Sequence, residues 1–206
     1  MRCIFISCTT GILLSWRSLL LQPFRALLGR FSFSNSGQGG TAFSGPSSID
    51  SSGMHSYKYD VFISFRGADT GNTFVDHLYT HLTRKGVFAY KDDKRLEKGE
   101  CLSTQLRQAI TNSRISIVVF SERYAESTWC LEEMAIIVES RNDLQQTVFP
   151  VFYDIDPSHI QKQNGVYQNA FVSHRNKFKH YPGKVERWTR AMVNLTEIVG
   201  WDVRNR

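Results

Sequence analysis

Two short stretches decide the fold: Asp60-Val-Phe-Ile-Ser-Phe65 and Ile115-Ser-Ile-Val-Val-Phe120. Both are almost continuously apolar, which is typical of strands that are buried on both faces of a parallel sheet. Outward from them, the chain alternates short strand patterns with helical patterns of about 10–15 residues. Such alternation predicts βαβ units, so we assign the chain to the α/β class.

The remaining elements continue this alternation. The other predicted strands are 87–90 and 147–153, and the predicted helices are 71–85, 102–110, 129–139, 160–178 and 184–199. The last helix is followed by Gly200-Trp201-Asp202-Val203. The helices are predicted from apolar residues that recur every three or four positions, and the strands are predicted from short apolar runs. A charged loop, 91–100, separates the second strand from the second helix.

Composition sets the class of protein. The 206 residues are 41% apolar and 13% aromatic, which is too high for a disordered chain. No run of about 18 apolar residues is present to form a conventional transmembrane helix. The formal net charge is +6, but acids and bases are interspersed from residue 54 onward. Because nucleic-acid-binding domains concentrate basic charge, we expect no nucleic-acid partner.

Residues 1–53 differ in composition from the rest. They contain eleven serines and four arginines but one acid, Asp50, and they end in a Gly/Ser-rich stretch that is typical of a flexible linker. An organelle transit peptide fits this composition; a secretory signal, a helix on a membrane surface and an extension without an address are the alternatives. We therefore divide the chain into a leader with linker (1–53) and a folded domain (54–206).

A ligand site is expected beyond the carboxyl ends of the strands, where the strand order of an open α/β sheet reverses. If the order is 2-1-3-4-5, this crevice lies between the first and third strands, and the helix that opens at Ser127 also faces it. Neither a G-x-x-x-x-G-K-[ST] loop nor a strand-linked G-x-G-x-x-G is present. ATP hydrolysis and ordinary dehydrogenase chemistry are therefore not expected.

The third predicted helix carries a candidate site residue, Glu133. Its core stripe is formed by Leu131, Met134, Ala135 and Val138. Glu133 falls nearly opposite this stripe, one turn from Trp129, so we expect it off the core face. A Trp and a Glu that lie side by side next to a cleft are typical of a surface on which a ligand binds. The structural alternative is an acid placed favourably in the first turn of a helix.

Other reactive residue types favour structural roles. His77 and His81 have the spacing of a zinc pair, but no third ligand is evident, so we expect no metal site. Cys130 lies near a helix N-terminus without a histidine partner, which favours a packed thiol. Because the four cysteines form no C-x-x-C pair, a reducing compartment is expected.

Several ordered motifs within residues 57–206 share one family's spacing. They are Tyr59-Asp-Val-Phe-Ile-Ser-Phe-Arg-Gly67, Asp92-Asp-Lys-Arg-Leu-Glu-Lys-Gly99, Ser127-Thr-Trp-Cys-Leu-Glu-Glu-Met134, Pro150-Val-Phe-Tyr-Asp-Ile-Asp-Pro-Ser-His159, Gln163-Asn-Gly165 and Gly200-Trp201. Together they resemble the TIR domain (Toll and interleukin receptor type) of plant immune receptors. The resemblance implies a flavodoxin-like parallel five-stranded sheet of order 2-1-3-4-5 flanked by helices, with the final family helix missing from this sequence.

The resemblance also implies an enzyme. Many plant members are NAD+ glycohydrolases, which convert NAD+ to nicotinamide and ADP-ribose or cyclic ADP-ribose in cell-death signalling. NAD+ is then the substrate, and no cofactor is implied. The family's catalytic glutamate falls on Glu133, and the charged loop 91–100 corresponds to a mobile loop over the site. The family's substrate contacts are carried over to Phe65, Arg66, Gly67 and Trp129.

The sequence departs from the family at two places near these residues. Gly67-Ala-Asp-Thr-Gly71 replaces the usual Gly-Glu-Asp-Thr-Arg, and Asp76-His77 replaces a Ser-His interface pair. The resemblance implies self-association through His77, Gly200 and Trp201. The missing final helix is expected to weaken that assembly.

The implied partners are NAD+, other TIR domains and, through the reaction product, lipase-like immune signalling proteins. A cytoplasmic location is implied because the signal acts inside the cell. Organelle or membrane association through residues 1–30 is the alternative location. The alternative function is a non-catalytic TIR interaction module that associates with full-length TIR receptors.

Overall fold

The computed structural model describes residues 57–91 and 102–204, and the structural statements below refer to those residues. The leader at 1–53, with its targeting and membrane alternatives, lies outside the described residues. So does the charged loop, apart from Lys91. Among the described helices, none combines the length and the apolar character needed to cross a bilayer.

Five parallel strands form the sheet. They are β1 (Tyr59–Phe65), β2 (Ala89–Lys91), β3 (Ser113–Phe120), β4 (Thr147–Tyr153) and β5 (Trp201–Val203). The order is β2-β1-β3-β4-β5, and every neighbouring pair is parallel. The α/β class and the predicted strand order are confirmed.

Helices make the crossovers that parallel strands require. They are α1 (Asp76–Arg84), α2 (Leu102–Thr111), α3 (Thr128–Leu144), α4 (Pro157–Gln161), α5 (Val166–Lys177) and α6 (Pro182–Thr196). A π-helical segment (Gly67–Val75) leads into α1, and a 3₁₀ turn (Tyr124–Glu126) lies between β3 and α3. The helix predicted from residue 71 therefore starts earlier, as a wider π turn directly after β1.

The second strand also differs in its bounds, since it was predicted at 87–90. After α1 the chain turns at Gly86, where φ is +77°. The backbone N–H of Val87 donates back to the carbonyl of Leu82 at 3.0 Å. That N–H belongs to the closing turn of α1, so the ladder with β1 begins at Ala89.

The main core lies between one face of the sheet and α2, α3 and α6. Phe62, Phe120 and Phe152 from the strands pack with Leu131 and Trp188 from the helices, and all five are at most 1% exposed. Because α3 also packs against both α2 and α6, it is buried around most of its circumference. This arrangement sets the surroundings of every side chain on α3.

The expectation that Glu133 lies off the core face is wrong. Its side chain is 2% exposed, and it is turned toward β1 rather than toward solvent. The predicted core stripe does point into the core, but α3 has buried residues on its other faces as well. Helical spacing alone cannot distinguish a solvent-facing side from one covered by a neighbouring element.

Candidate functional site

The sheet order reverses at the carboxyl ends of β1 and β3. From β1 the chain crosses to β2 on one side, and from β3 it crosses to β4 on the other. The residues predicted to contact a substrate lie at this edge: Phe65 ends β1, and Arg66 and Gly67 follow it. Helix α3 begins close by, so its first two turns lie against the end of β1.

The start of α3 is fixed by a side-chain cap. The hydroxyl of Ser127 accepts a hydrogen bond from the backbone N–H of Cys130 at 3.3 Å, which satisfies one of the unpaired donors at a helix N-terminus. Residues four apart then lie on the same face. The Nε1–H of Trp129 donates to Oε1 of Glu133 at 2.7 Å, so the half-buried indole holds one carboxylate oxygen.

The other carboxylate oxygen is held from the sheet. The hydroxyl of Ser64 lies 2.5 Å from Oε2 of Glu133, and it also lies 2.8 Å from the hydroxyl of Tyr124. The Tyr124 hydroxyl in turn lies 3.0 Å from the backbone carbonyl of Cys130. Ser64 and Tyr124 are fully buried, so the candidate catalytic carboxylate ends in a hydrogen-bonded chain inside the protein.

Burial sets the electrostatics around this chain. Burial, with the nearby Cys130 and Glu133, raises the pKa of Tyr124 well above its usual value. Burial and the charge of Glu133 raise the pKa of Cys130 to about 12. The Cys130 thiol points at the carbonyl oxygen of Phe65, 3.4 Å away. Cys130 is therefore a packed thiol, as predicted, and not a nucleophile.

An acid that the sequence analysis did not assign joins the two sides of the crevice. The carboxylate of Asp69, 9% exposed, lies 3.4 Å from Nε of Arg66 and 2.8 Å from Nη2 of Arg123. It also accepts a hydrogen bond from the hydroxyl of Ser121 at 2.7 Å. Arg66 contacts a second acid, Glu126, at 3.1 Å. Asp69 thus links the segment after β1 to the segment after β3 and orients the guanidinium of Arg66.

The other predicted contacts lie at the same edge. Phe65 is 8% exposed, and Gly67 has open space where a Cβ would be. Gly71, which replaces the family's arginine, lies against the Phe65 ring, since an added Cβ would be 3.2 Å from its Cε2. Ala68, which replaces an acid, is exposed. Phe65, Arg66 and Gly67 therefore lie at the carboxyl end of β1, and Trp129 and Glu133 lie in the first turns of α3 beside it.

The residues expected to mediate self-association lie elsewhere. His77 is exposed on α1, which leads to the edge strand β2. Gly200 and Trp201 lie at the other edge, where the Trp201 ring is 4.9 Å from that of Phe149. A Cβ at Gly200 would be 2.6 Å from Cε2 of Phe152, so this glycine is required by the packing of β5 on β4.

The two histidines of α1 are not part of a metal site in the described residues, where no group of three or more ligating side chains occurs. Partial burial, with the charges of Lys85 and Arg84, lowers the pKa of His81. His81 is thus held toward its neutral form by its own helix.

Sequence and structure comparisons place the chain in a family. The model of the TIR domain family matches residues 58–206. Disease resistance protein RPV1 of Vitis rotundifolia is 46% identical over 143 residues, which are 69% of this chain and 10% of the relative. TMV resistance protein N of Nicotiana glutinosa is 45% identical over 150 residues, which are 73% of this chain and 13% of the relative. The chain thus spans only a small part of these relatives' length.

Among solved structures, the TIR domains of the activated Roq1 resistosome, which directly recognises the pathogen effector XopQ, are similar in sequence and in fold. The TM-score is 0.67 and the sequence identity 47%, over 72% of this chain and 89% of that chain. Both proteins share the five-stranded parallel sheet of order 2-1-3-4-5. The family model and the relatives agree, and the chain belongs to the TIR domain family.

Proposed function

We propose that this chain is an NAD+ glycohydrolase that acts in plant immune and cell-death signalling, converting NAD+ to nicotinamide and ADP-ribose or cyclic ADP-ribose. The observation that carries the proposal is the carboxylate of Glu133, fixed by Ser64 and Trp129 at the end of β1. The names of the relatives, which are plant disease resistance proteins, support the physiological setting.

The chemistry needs only one carboxylate. Ordinary glycosidases use a second, protonated carboxyl group to help the leaving oxygen depart. In NAD+ the leaving group is a cationic pyridinium, which departs with the bonding electron pair as neutral nicotinamide and needs no general acid. The remaining task is to stabilise an oxocarbenium-like ribose, which a preorganised carboxylate near the ribose hydroxyls does electrostatically. Attack by water then gives ADP-ribose, and attack from the adenine or a ribose hydroxyl gives a cyclic product.

The neighbouring residues support binding of the same substrate. Arg66 is a cation held at the crevice by Asp69 and Glu126, and guanidinium groups bind the oxygens of pyrophosphates well. Gly67 leaves room for a close backbone approach. The half-buried indole of Trp129 offers an aromatic surface for an adenine or a ribose.

The test is nicotinamide release by the full chain at high protein concentration, with two matched variants. Glu133→Gln is expected to abolish release. Glu132→Gln is the control, because the adjacent carboxylate of Glu132 is bound by Arg187 at 2.6 Å and by Trp188 at 3.0 Å, away from the crevice. Equal rates in wild type and Glu133→Gln, or no release from a well-folded wild type, would overturn the proposal.

A second candidate function is a non-catalytic module that associates with full-length TIR receptors in the cytoplasm. It is favoured by the exposed His77 on α1, remote in sequence from the crevice residues on α3. The related Roq1 TIR domains are part of a resistosome, which supports assembly between TIR domains. The module predicts receptor capture that survives Glu133→Gln and fails on His77→Ala. The enzyme predicts signalling through its product to lipase-like immune proteins, lost in Glu133→Gln.

A further inference from the structure

Glu133 ends a chain of three short oxygen contacts inside the protein. Oε2 of Glu133 lies 2.5 Å from Oγ of Ser64. Ser64 lies 2.8 Å from the Tyr124 hydroxyl, and that hydroxyl lies 3.0 Å from the carbonyl oxygen of Cys130. Ser64 and Tyr124 are 0% exposed. The chain therefore runs from the candidate catalytic carboxylate to a backbone acceptor without passing through a described solvent-exposed group.

Counting hydrogens on this chain gives two arrangements. Each hydroxyl supplies one hydrogen, and a carbonyl oxygen only accepts. When Glu133 is ionised, Ser64 donates to it and Tyr124 donates either to the Cys130 carbonyl or to Ser64, so two of the three contacts are hydrogen bonds in either case. When Glu133 carries a proton on Oε2, that proton goes to Ser64, Ser64 donates to Tyr124, and Tyr124 donates to the Cys130 carbonyl. All three contacts are then hydrogen bonds.

We propose that Ser64 and Tyr124 are positioning residues, and that Ser64 turns its hydrogen bond from Glu133 to Tyr124 when Glu133 gains a proton, so that the carboxyl group changes protonation state without moving. The proposal rests on the proposed NAD+ cleavage. It assigns a role to two buried hydroxyls that contact each other but are not expected to touch the substrate.

The reaction balances with one proton passing through Glu133. The bond between the ribose carbon and the nicotinamide nitrogen breaks, and its electron pair leaves with nicotinamide. A water oxygen then bonds to the ribose carbon while one of its protons passes to the Glu133 carboxylate. Ser64 turns from Glu133 to Tyr124 while Glu133 holds the proton on Oε2, and it turns back when Glu133 releases the proton to solvent. The net products are ADP-ribose, nicotinamide and one proton.

The described ionisable groups that act on this chain include residues of α3, of the 3₁₀ turn and of the segment after β1. On its own helix Cys130 has a pKa of about 12, and from the 3₁₀ turn Tyr124 has a pKa well above its usual value. Arg66, after β1, acts in the opposite sense on Cys130, since its charge lowers the pKa of that thiol. The acids beyond it, Asp69 and Glu126, are paired with Arg66 and are common to every variant below. A variant's shift of the acidic limb of the pH–rate profile therefore reports Glu133.

Two substitutions are expected to shift that limb in opposite directions. Tyr124→Phe removes one hydrogen bond from the ionised arrangement and two from the protonated one, so the ionised form is favoured and the acidic limb of kcat moves to lower pH. Ser64→Ala removes two neutral hydrogen bonds from the protonated arrangement, but from the ionised one it removes the charge-assisted donor of a buried carboxylate. Because leaving a buried charge without its donor costs more, the ionised form is disfavoured and the limb moves to higher pH. Each shift is expected to be about one pH unit, with KM for NAD+ little changed.

Two matched controls lose equally buried hydroxyls elsewhere. Tyr167→Phe removes the hydroxyl that donates to the Ser121 carbonyl at 2.7 Å, and Ser116→Ala removes the one that donates to Gln146 at 3.0 Å. Both controls are expected to keep the wild-type pH profile. Shifts of the same sign in Ser64→Ala and Tyr124→Phe, or no shift, would overturn the proposal. If Ser64→Ala does not fold, an unshifted limb in Tyr124→Phe overturns it alone.

An infrared titration separates this proposal from the proposed function. The carbonyl stretch of a protonated carboxylic acid that disappears in Glu133→Gln identifies the Glu133 band. Its midpoint is expected to fall in Tyr124→Phe and to rise in Ser64→Ala without any substrate present. A wild type that releases no nicotinamide but gives these opposite shifts refutes the proposed function and keeps the two-state chain. Nicotinamide release by a wild type whose variants show unshifted midpoints keeps the proposed function and refutes the two-state chain.

Discussion

Two residues three positions apart on α3 have opposite chemistry because their surroundings differ. Cys130 is 3% exposed, and its thiol contacts the carbonyl of Phe65. Glu133 is just as buried, but Trp129 and Ser64 hold its two oxygens. Burial raises the pKa of the Cys130 thiol, whereas the equally buried carboxylate has a hydrogen-bond donor at each oxygen.

We expect Cys130 to resist alkylation in the folded protein. With a pKa of about 12, the thiolate fraction at pH 8 is about one in ten thousand, and the thiolate is the reactive form. Mass spectrometry of the peptide carrying Cys130 after iodoacetamide treatment measures this, with and without denaturant. Labelling of the native protein at the rate of the denatured one would contradict the buried placement.

We expect Trp129→Phe to lower kcat for nicotinamide release by about tenfold to a hundredfold, since it removes the N–H that donates to Oε1 of Glu133. The aromatic ring remains, so KM is expected to change little. Trp129→Ala, which removes the ring as well, is expected to raise KM too. Equal kcat values in wild type and Trp129→Phe would show that the indole N–H does not position Glu133.

The sequence predicts one part of this constellation and not the other. Trp129 and Glu133 lie four residues apart on one helix, so their proximity follows from helical spacing. Ser64 lies 69 residues from Glu133 and 60 from Tyr124. Its only signal was a hydroxyl in an apolar strand. Which side chains such a hydroxyl meets depends on how α3 and the 3₁₀ turn dock on β1, and local patterns do not contain that information.

At the scale of elements, the short helix α4 begins at a capping carboxylate that is also bound by a residue after β5. The carboxylate of Asp156 caps α4 by accepting from the backbone N–H of Ser158 at 2.8 Å. Arg204, which follows β5, donates to the same carboxylate at 2.7 Å and also binds Asp202. Hydrogen bonds from Ser158, with that of Arg204, lower the pKa of Asp156 to about 2.

We expect Asp156→Ala to lower the free energy of unfolding by about 1 kcal/mol at pH 7, as for other helix caps. Because the folded pKa lies below the unfolded value of 3.8, the stabilisation is complete above the unfolded value. It is lost as the pH falls toward 2. Urea unfolding of both proteins between pH 7 and pH 2 measures it. A difference that stays constant with pH would mean that the carboxylate charge is not involved.

We expect Gly200→Ala to destabilise the fold, because the new Cβ would lie 2.6 Å from Cε2 of Phe152 and 2.8 Å from the carbonyl oxygen of Pro150. Thermal unfolding measures the loss, and Gly183→Ala, where a Cβ meets nothing within 4 Å, is the control. A Gly200→Ala protein as stable as wild type would show that β5 can shift away from β4. A change of self-association in this variant must be read together with its stability.

Element types followed from the sequence more closely than element bounds. Apolar runs predicted four of the strands, and the fifth was implied only by the family resemblance. The start of β2 depends on which backbone N–H groups the turn after α1 uses, as at Val87. The π-helical start at Gly67 was likewise hidden, since a π turn and an α turn share most of their apolar spacing. Bounds are set by hydrogen bonds between elements, which composition does not encode.

At the scale of the whole molecule, the strand order brings together segments that are far apart in the chain. Asp69 after β1 and Arg123 after β3 are 54 residues apart, and their contact closes the crevice edge. A parallel sheet with this strand order predicts that the segments after β1 and β3 meet at the same edge of the sheet. The partner of each charge is not predictable, because several acids and bases follow these two strands.

We expect Asp69→Ala to lower the free energy of unfolding by about 1–3 kcal/mol, because it removes the acceptor of Ser121 and Arg123 and leaves the guanidinium of Arg66 without this counter-charge. Released from Asp69, Arg66 is no longer oriented, so KM for NAD+ is expected to rise. Denaturant unfolding and nicotinamide release measure the two effects. Asp143→Ala, on an exposed part of α3, is the control, and equal losses in both variants would contradict the linking role of Asp69.

The outer strand β5 is short, since it has three residues and Arg204 follows it outside the ladder. A strand from another copy laid along this edge would gain few backbone hydrogen bonds, and short edges protect natural sheets from extension. Copies of this domain that meet at this edge are therefore expected to do so through side chains on helices and loops. Such assemblies come apart on dilution, whereas cross-β fibres are essentially irreversible. This architecture therefore favours reversible assembly, and with it a signal that can be switched off.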